Sequence, residues 1–195
     1  MKTTTETTDT AEIFSVWVSS FGLYSNGYLI GYWCPASAAP VTEAEFVAGL
    51  SERGQIMPAN VAALVGDELN CFDTEYSPVR GEMHPAEARA IAEALEGIEA
   101  DDVAAFRAVC SDQGARTAED IERIAAEFED RFQGYFDSAE EYAENYLDMA
   151  GMLQDLPEWA RGYFDTAAYA RDLELGGDIT HLTTSDGRGF VINNY

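Results

Sequence analysis

The side chains that could take part in catalysis are few and lie far apart in the sequence. The two histidines are His84, which directly precedes Pro85, and His181, which falls in a predicted strand. Neither histidine has an evident nucleophile nearby in sequence, and no P-loop, GxSxG, HExxH or EF-hand pattern is present. The sequence therefore predicts a protein that is not an enzyme, with no catalytic residue and no cofactor.

The three cysteines, Cys34, Cys71 and Cys110, are widely spaced and form no CxxC pair. Neither a disulfide framework nor a zinc site is indicated by this spacing, so reduced thiols in a cytoplasmic protein are expected. The first residues, MKTTTETTDTAE, lack the apolar segment of a signal peptide. No stretch approaches the roughly 18 apolar residues of a membrane span. We therefore expect a cytoplasmic location and no membrane partner.

Four acidic residues in the first half of the chain form a secondary acidic patch. They are Asp67, Glu68, Asp73 and Glu75. Carboxylates can bind a hard cation, but this spacing is not that of a calcium loop. We expect at most weak, nonspecific cation binding there, and no specific metal site.

The net charge restricts the classes of partner more strongly than any motif. The chain has 11 Lys and Arg against 36 Asp and Glu, a formal net charge of -25. A nucleic-acid-binding protein needs a basic face that neutralises phosphates, so nucleic acid is excluded as a partner. Anionic membranes are disfavoured for the same reason. The remaining partners are cations, basic proteins, or the basic cleft of a protein that normally holds nucleic acid.

Acidic residues are densest between Glu119 and Asp148, where 11 of them are opposed only by Arg123 and Arg131. Acids in the first turn of a helix are favoured by the helix dipole, whereas acids near its C-terminal end are disfavoured by about 0.3–1 kcal/mol each. The acids predicted near C-terminal ends are Glu127, Glu129, Asp130, Glu144 and Asp148. Since local stability does not explain these, we assign them to partner binding. The predicted partner-binding surface is Asp101, Asp102, Glu119, Asp120, Glu122, Glu127, Glu129, Asp130, Asp137, Glu140, Glu141, Glu144 and Asp148.

The charge density has the scale of a nucleic acid. Duplex DNA carries one negative charge per about 1.7 Å of its axis, so 25 charges correspond to roughly 40 Å of duplex. Charge alone also permits a generic acidic surface, an acidic chaperone or adaptor for a basic DNA-binding protein, or an enzyme that uses carboxylates and a metal. The composition is that of a folded chain, since 47% of the residues are hydrophobic.

The first elements are predicted to be strands. Residues 13–21 (IFSVWVSSF) and 28–33 (YLIGYW) are rich in β-branched and aromatic types, and Asn26-Gly27 between them predicts a tight hairpin turn. Thr42 opens a helix that extends to about Arg53, and a further strand is expected at 61–65.

The middle of the chain is predicted to be helical. Pro85 suits a first turn, and Thr117 caps a helix whose buried stripe is Ile121, Ile124 and Phe128. A short strand at 132–136 follows.

The last third mixes helices and strands. Ser138 opens a helix whose buried face is predicted to be Tyr142, Tyr146, Met149 and Leu153. Asp165 caps the next helix, Gly176-Gly177 stops it, and the chain ends in a hairpin around Ser185-Asp186-Gly187. These elements predict an α+β protein with a disordered tail (1–10) and three small domains in series. The domains are an antiparallel β domain with one helix (11–82), a helical domain (83–131) and a mixed α+β domain (132–195).

Two stretches resemble the ArdA antirestriction family, and the resemblance covers about residues 12–195. FGLYSNGYLIGYW resembles the opening pattern of the family, carried here by Tyr24, Gly27, Gly31 and Trp33. LPEWARGYFDTAAYARDLELGGDI resembles its C-terminal signature, carried by Leu156, Pro157, Tyr163, Asp165, Tyr169, Arg171, Asp172 and Leu173. One departure is LVGDELNCFDTEY, which lacks the histidine of the Ile-His-Asp-Tyr-Glu segment usual at that place.

Most of the signature residues have a structural interpretation. We expect Trp159, Tyr163, Phe164 and Tyr169 to pack in the core, because they flank a capped helix. Arg171 and Asp172 are expected to form either a salt bridge or a dimer contact.

The resemblance implies an elongated three-domain protein that dimerises into a curved acidic rod similar to bent B-form DNA. It also implies inhibition of type I restriction-modification enzymes, with the DNA-binding groove of the methyltransferase core as the partner site.

Overall fold

The computed structural model describes residues 14–66 and 68–195. These residues contain eight α-helices and two small antiparallel sheets, which confirms the α+β class. They fall into two compact units, one comprising residues 14–66, 68–100 and 114–122 and the other 101–113 with 123–195. The predicted tail at 1–10 and Asp67 lie outside the described residues. No helix in the described part of the chain is long and apolar enough to cross a membrane.

The first unit is built on a three-stranded sheet with strand order β2-β1-β3. Its elements are β1 (Ser15–Ser20), α1 (Phe21–Ser25), β2 (Tyr32–Pro35), α2 (Glu43–Glu52), β3 (Leu69–Glu75) and α3 (Pro85–Leu95). Val16 and Val18 of the central strand are fully buried, as is Phe46 of α2. Helix α3 packs against β3 and the 3-10 turn Ala36–Ala38, so it belongs to the same unit.

The predicted hairpin is right in its pairing and wrong in its turn. Strands β1 and β2 pair antiparallel, with Val16 opposite Cys34. Gly27 has the expected positive φ of 81°, but Asn26 has φ -94°, and helix α1 occupies the connection. The Ser20 hydroxyl starts this helix by accepting a hydrogen bond from the Leu23 N–H at 3.1 Å.

The strand predicted at 61–65 is also wrong, because these residues contain the 3-10 turn Ala62–Leu64. Val61 and Val65 are buried whereas Ala63 between them is exposed, which fits a helical turn and not the alternation of a strand. The strand lies instead at Leu69–Glu75, within the acidic and aromatic segment.

The middle helices agree with their predicted start signals. Helix α3 begins at Pro85, after His84, whose Nδ1 accepts a hydrogen bond from the Ala86 N–H. Helices α4 (Val103–Asp112) and α5 (Ala118–Arg131) follow, and Thr117 caps α5. The apolar stripe of α5 is confirmed, since its three predicted members are at most 5% exposed: Ile121, Ile124 and Phe128.

The second unit holds the other sheet, with strand order β4-β6-β5. Its elements after α5 are β4 (Phe132–Tyr135), α6 (Ala139–Met149), α7 (Glu158–Arg161), α8 (Thr166–Gly176), β5 (Ile179–Thr183) and β6 (Gly189–Asn193). Helices α6 and α8 pack together, and α4 and α8 contact β5. The predicted strand at β4, the Asp165 cap, the stop at Gly177 and the closing hairpin are all confirmed.

The predicted buried face of α6 is mostly wrong. Tyr142 is buried, but Tyr146 is 40% exposed, Met149 is 82% exposed, and Leu153, beyond the end of the helix, is only half-buried. The buried positions besides Tyr142 are Ala139, Ala143 and Leu147. Two of these are alanines, whose small side chains let α8 approach closely, while the larger Tyr146 and Met149 lie outside.

Candidate functional site

Both units are strongly acidic. Among the described residues, the first unit has 14 carboxylate side chains and four basic residues, and the second unit has 18 carboxylate side chains and six basic residues. The charge is therefore a property of the whole chain rather than of one segment. It reaches the surface of both units, since none of the predicted partner-binding acids is buried and only Asp102 and Asp120 are half-buried.

Helix α5 separates its apolar and acidic side chains onto different faces. The interior side is the stripe that contains Ile121, Ile124 and Phe128, with Phe128 packed edge-on against Phe106 at 5.3 Å. The exposed acids of the helix are Glu119, Glu122, Glu127, Glu129 and Asp130. At 1.5 Å per residue, these positions span about 16 Å of helix axis.

Helix α6 has the same separation. Its interior side meets α8 and the sheet through the cluster of Ala139, Tyr142, Ala143, Ala170, Ile179 and Val191. The exposed acids are Glu140, Glu141, Glu144 and Asp148, and Asp137 is exposed just before the helix. Glu144 and Asp148, one turn apart, border a cavity of about 270 Å³ that Leu147 and Leu153 also line.

Asp101 and Asp102 lie directly before α4 and are held by the neighbouring sheet. The Tyr135 hydroxyl donates a hydrogen bond to the Asp101 carbonyl oxygen at 2.6 Å, and the Arg188 guanidinium lies 4.4 Å from the centre of the Tyr135 ring. Burial raises the pKa of Tyr135 to about 12, with a further contribution from the Asp102 carboxylate. These contacts use the backbone of Asp101, so its carboxylate remains exposed.

Two of the predicted binding acids also have structural roles. Asp120 Oδ2 accepts hydrogen bonds from the backbone N–H of Arg116 and of Thr117, and so helps to cap α5. Glu141 Oε2 accepts one from the Asp137 N–H at 2.7 Å. Their position in first turns is explained by folding, as the sequence suggested.

Several arginines bind backbone carbonyl groups rather than neutralising the acidic helices. Arg89 Nε donates to the Ala39 oxygen at 2.6 Å. Arg131 Nε donates to the Asn193 oxygen at 2.8 Å, and Arg161 Nη2 donates to the Gln154 oxygen at 2.8 Å. Arg131 also lies 3.4 Å from Glu127, one turn earlier on α5. This pair offsets one of the 11 acidic residues between Glu119 and Asp148, so most of the local negative charge remains.

The secondary acidic patch does not form a metal site. Asp73 and Glu75 are exposed on β3 and Glu68 is exposed just before it, whereas Asp67 lies outside the described residues. Among the residues that the structure describes, no group of three or more His, Cys, Asp or Glu side chains is arranged to hold a metal ion.

The histidines and cysteines have structural surroundings. His84 caps α3, and His181 Nε2 lies 3.0 Å from the Phe136 carbonyl oxygen. All three cysteines are buried, and burial raises the pKa of each thiol, to about 12 for Cys71 and Cys110. Such thiols stay protonated near neutral pH and are poor nucleophiles.

The N-terminal signature residues shape the outer side of the first sheet. The ring of Tyr24 stacks on Phe72 with centroids 4.2 Å apart. A Cβ atom on Gly31 would lie 2.4 Å from the Val18 carbonyl oxygen and 2.6 Å from the Trp17 ring, so only glycine fits there. Gly27 provides the positive φ, and Trp33 is 41% exposed.

The C-terminal signature is only partly structural. Asp165 caps α8, Pro157 precedes α7, Leu156 is half-buried, and Tyr169 and Leu173 pack on the core cluster. Phe164 is 36% exposed, and its ring contacts that of Tyr169 edge-on. The prediction that Trp159 and Tyr163 pack in the core is wrong, because they are 76% and 85% exposed. Arg171 and Asp172 are exposed, and their predicted roles stay predictions.

Sequence reasoning missed one surface, the aromatic side chains on the outer side of the first sheet. A signal is present on two strands, where Trp17 and Trp33 alternate with buried residues. On the third strand Phe72 follows three buried residues and precedes the exposed Asp73, so its burial does not alternate regularly.

Comparison with protein families identifies the family of this chain. The family model described as "Antirestriction protein (ArdA)" matches residues 16–187, which is most of the chain. No curated protein matches significantly.

Proposed function

The chain belongs to the ArdA family of antirestriction proteins, and from this premise we propose that it is an acidic DNA mimic. In this proposal it occupies the DNA-binding groove of type I restriction-modification enzymes, at their methyltransferase core. The observation that carries the proposal is the set of exposed carboxylates on α5 and α6, outside a packed apolar interior. Inhibition by occupancy requires no catalytic step and no cofactor.

The physical basis is substitution of carboxylates for phosphates. Lys and Arg residues that bind the phosphates of a DNA backbone can also bind carboxylates presented at a similar charge density. Contacts to phosphates carry little sequence information. Inhibition should therefore not depend on the DNA sequence that the target enzyme recognises. Long-range attraction between opposite charges should also speed the encounter.

The proposal includes the assembly implied by the family, an elongated homodimer of three-domain chains that acts in the cytoplasm. Support comes from large apolar side chains that the second unit leaves exposed within 149–163. Met149, Trp159 and Tyr163 are each more than 75% exposed, which is unusual for isolated monomers and typical of interaction surfaces. Sedimentation equilibrium tests this assembly, and a Trp159→Ala variant should shift the chain towards monomer. Small-angle scattering that showed a compact particle would contradict the rod.

The central experiment is competition with DNA. A purified type I methyltransferase core is bound to labelled duplexes with and without its recognition sequence, and the protein is titrated in at several salt concentrations. We expect displacement of both duplexes at low salt, with weaker displacement as salt rises. Failure to displace either duplex at low salt would overturn the proposal.

Two double variants with the same net charge distinguish inhibition by the acidic surface of α6 from inhibition by net charge in general. Glu144→Gln with Asp148→Asn removes two carboxylates from α6, and Glu158→Gln with Glu174→Gln removes two exposed ones that lie outside the predicted binding surface. The first variant should lose more inhibition than the second. Equal losses would indicate general electrostatics and favour the alternative function, an adaptor for basic proteins, which a pull-down that retained a basic DNA-binding protein would support.

A further inference from the structure

The first sheet has an aromatic outer face. Trp17 of β1 lies directly opposite Trp33 of β2, and such cross-strand partners have Cβ atoms about 4.5–5.5 Å apart. Their chain neighbours Val16, Val18 and Cys34 point the other way and are at most 5% exposed. The two indoles therefore stand side by side on the face that the core does not use.

Three more aromatic rings extend this face along β3 and α1. Phe72 is the centre, with the Tyr24 ring at 4.2 Å, the Phe21 ring at 5.2 Å and the Trp17 ring at 6.1 Å. We name the set of Trp17, Phe21, Tyr24, Trp33 and Phe72 the aromatic face. Phe21, Tyr24 and Trp33 are each 41–45% exposed. A contiguous exposed patch of this kind is typical of an interaction surface, where Trp and Tyr often dominate the binding energy.

Carboxylates border the aromatic face, and basic residues are absent from its sequence. Asp73 lies opposite Trp17 across the β1–β3 ladder, and Glu75 lies opposite Ser15. Glu68 is tied to the edge by a hydrogen bond from the Phe21 N–H to its carbonyl oxygen at 2.9 Å. Residues 3–52 and 54–79 contain no Lys or Arg. The face is therefore complementary to a cation that also stacks on rings, which describes a guanidinium better than an ammonium.

The same type of contact occurs elsewhere in the described part of the chain. The Arg53 guanidinium lies 4.2 Å from the centre of the Tyr32 ring, and the Arg188 guanidinium lies 4.4 Å from that of Tyr135. Both rings lie outside the aromatic face, so these contacts leave it available.

We propose that the aromatic face binds arginine side chains of the protein that this chain inhibits, with the rings stacking on the guanidinium and Asp73 and Glu75 pairing with its charge. The proposal rests on the proposed function for the identity of the partner, but its chemistry can be tested without that partner. It adds to carboxylate mimicry a contact that discriminates arginine from lysine.

The test compares labelled deca-arginine and deca-lysine as ligands of the full-length protein. Fluorescence anisotropy gives both dissociation constants for the native protein and for a Tyr24→Ala, Trp33→Ala double variant. The double variant should lower the preference for arginine over lysine about two- to fivefold, the contribution expected of exposed cation–π contacts. Trp33→Phe in the otherwise native protein should keep the preference, which also guards against misfolding as the explanation.

Two control variants give the proposal a clear route to failure. Leu29→Ala removes a 77% exposed apolar side chain from the connection between α1 and β2, and Leu175→Ala removes a 79% exposed leucine from the second unit. Both should leave the preference unchanged. An unchanged preference in the double variant, or an equal loss in Leu175→Ala, would overturn the proposal.

A third ligand tests the rival use of stacked rings, which is binding of nucleobases. A labelled single-stranded 12-mer DNA should show no binding, and binding that the double variant abolishes would overturn the arginine assignment. The outcomes also separate the two proposals. If the double variant loses the arginine preference but the native protein does not displace DNA from the methyltransferase, only the proposed function is contradicted. If the native protein displaces DNA but shows no arginine preference, only this inference is contradicted.

Discussion

Thr117 and Asp120 form a reciprocal cap at the start of helix α5. The Thr117 hydroxyl oxygen accepts a hydrogen bond from the Asp120 N–H at 3.2 Å, and Asp120 Oδ2 accepts one from the Thr117 N–H at 3.1 Å. This exchange satisfies N–H groups that a helix start otherwise leaves without partners. Some acidic residues of this chain therefore stabilise the starts of helices, and others provide negative charge on the outer faces. Mutations can distinguish these two roles.

The first prediction concerns the cap. Thr117→Ala removes the side-chain acceptor at the start of α5 and should lower the free energy of unfolding by about 1 kcal/mol. Thr117→Ser keeps the hydroxyl group and should cost much less. Urea denaturation followed by circular dichroism measures both, and equal losses in the two variants would show that the hydroxyl does not cap the helix.

The second prediction is that loss of two carboxylates from α6 does not lower the free energy of unfolding. Glu144 and Asp148 lie one turn apart in the C-terminal half of α6, where like charges repel each other and the helix dipole disfavours anions. Glu144→Gln with Asp148→Asn should therefore leave stability unchanged or raise it by up to about 1 kcal/mol. Glu141→Ala is the control, because it removes the acceptor of the Asp137 N–H and should destabilise the protein. A marked loss of stability in the double variant would mean that these acids support the fold.

The third prediction concerns the close approach of the chain to Trp17. A methyl group on Gly31 would meet the Val18 carbonyl oxygen at 2.4 Å, a backbone atom that cannot move aside cheaply. Gly31→Ala should therefore lower the free energy of unfolding by about 1–3 kcal/mol. Gly162→Ala is the matched control, since a Cβ atom there meets nothing within 4 Å and φ is -70°. Thermal unfolding compares the two, and a Gly31→Ala variant as stable as Gly162→Ala would contradict the packing.

Helix starts were predictable from the sequence because their chemistry is local. Thr42, Thr117, Ser138 and Asp165 each accept a hydrogen bond from an N–H three residues later. A side chain and the turn that it caps lie within four residues, so no distant contact is needed to recognise them.

Faces of helices were harder to predict because they depend on what packs against them. Met149 and Tyr146 have the apolar character of core residues, but α8 packs against Ala139 and Ala143 instead. The same limit applies to the candidate site. The exposure of the acidic side chains could be predicted because charged residues favour the surface. The hydrogen bond from Arg131 to the Asn193 carbonyl group could not be predicted, because it joins residues 62 positions apart and no local sequence pattern indicates it.

The last prediction concerns stability at alkaline pH. Burial raises the pKa of Cys71 and Cys110 from 9.0 to about 12, and both thiols are fully buried. Between pH 9 and 12 the unfolded chain has lost these protons and the folded chain has kept them, so stability falls as pH rises. The slope is about 1.4 kcal/mol per pH unit for each group. Below pH 9 both states are protonated and these thiols add no pH dependence.

Cysteine replacement isolates this effect from the raised pKa of Tyr32 and Tyr135, which acts only above about pH 10. Cys71→Ala and Cys110→Ala should each be less stable than the native protein at pH 8, because a buried sulfur is lost. Their stability should nevertheless fall less steeply between pH 9 and 10, where the tyrosines still carry their protons in both states. Urea midpoints at pH 8, 9 and 10 measure the slope. A slope equal to that of the native protein would show that the buried thiols ionise at their ordinary pKa.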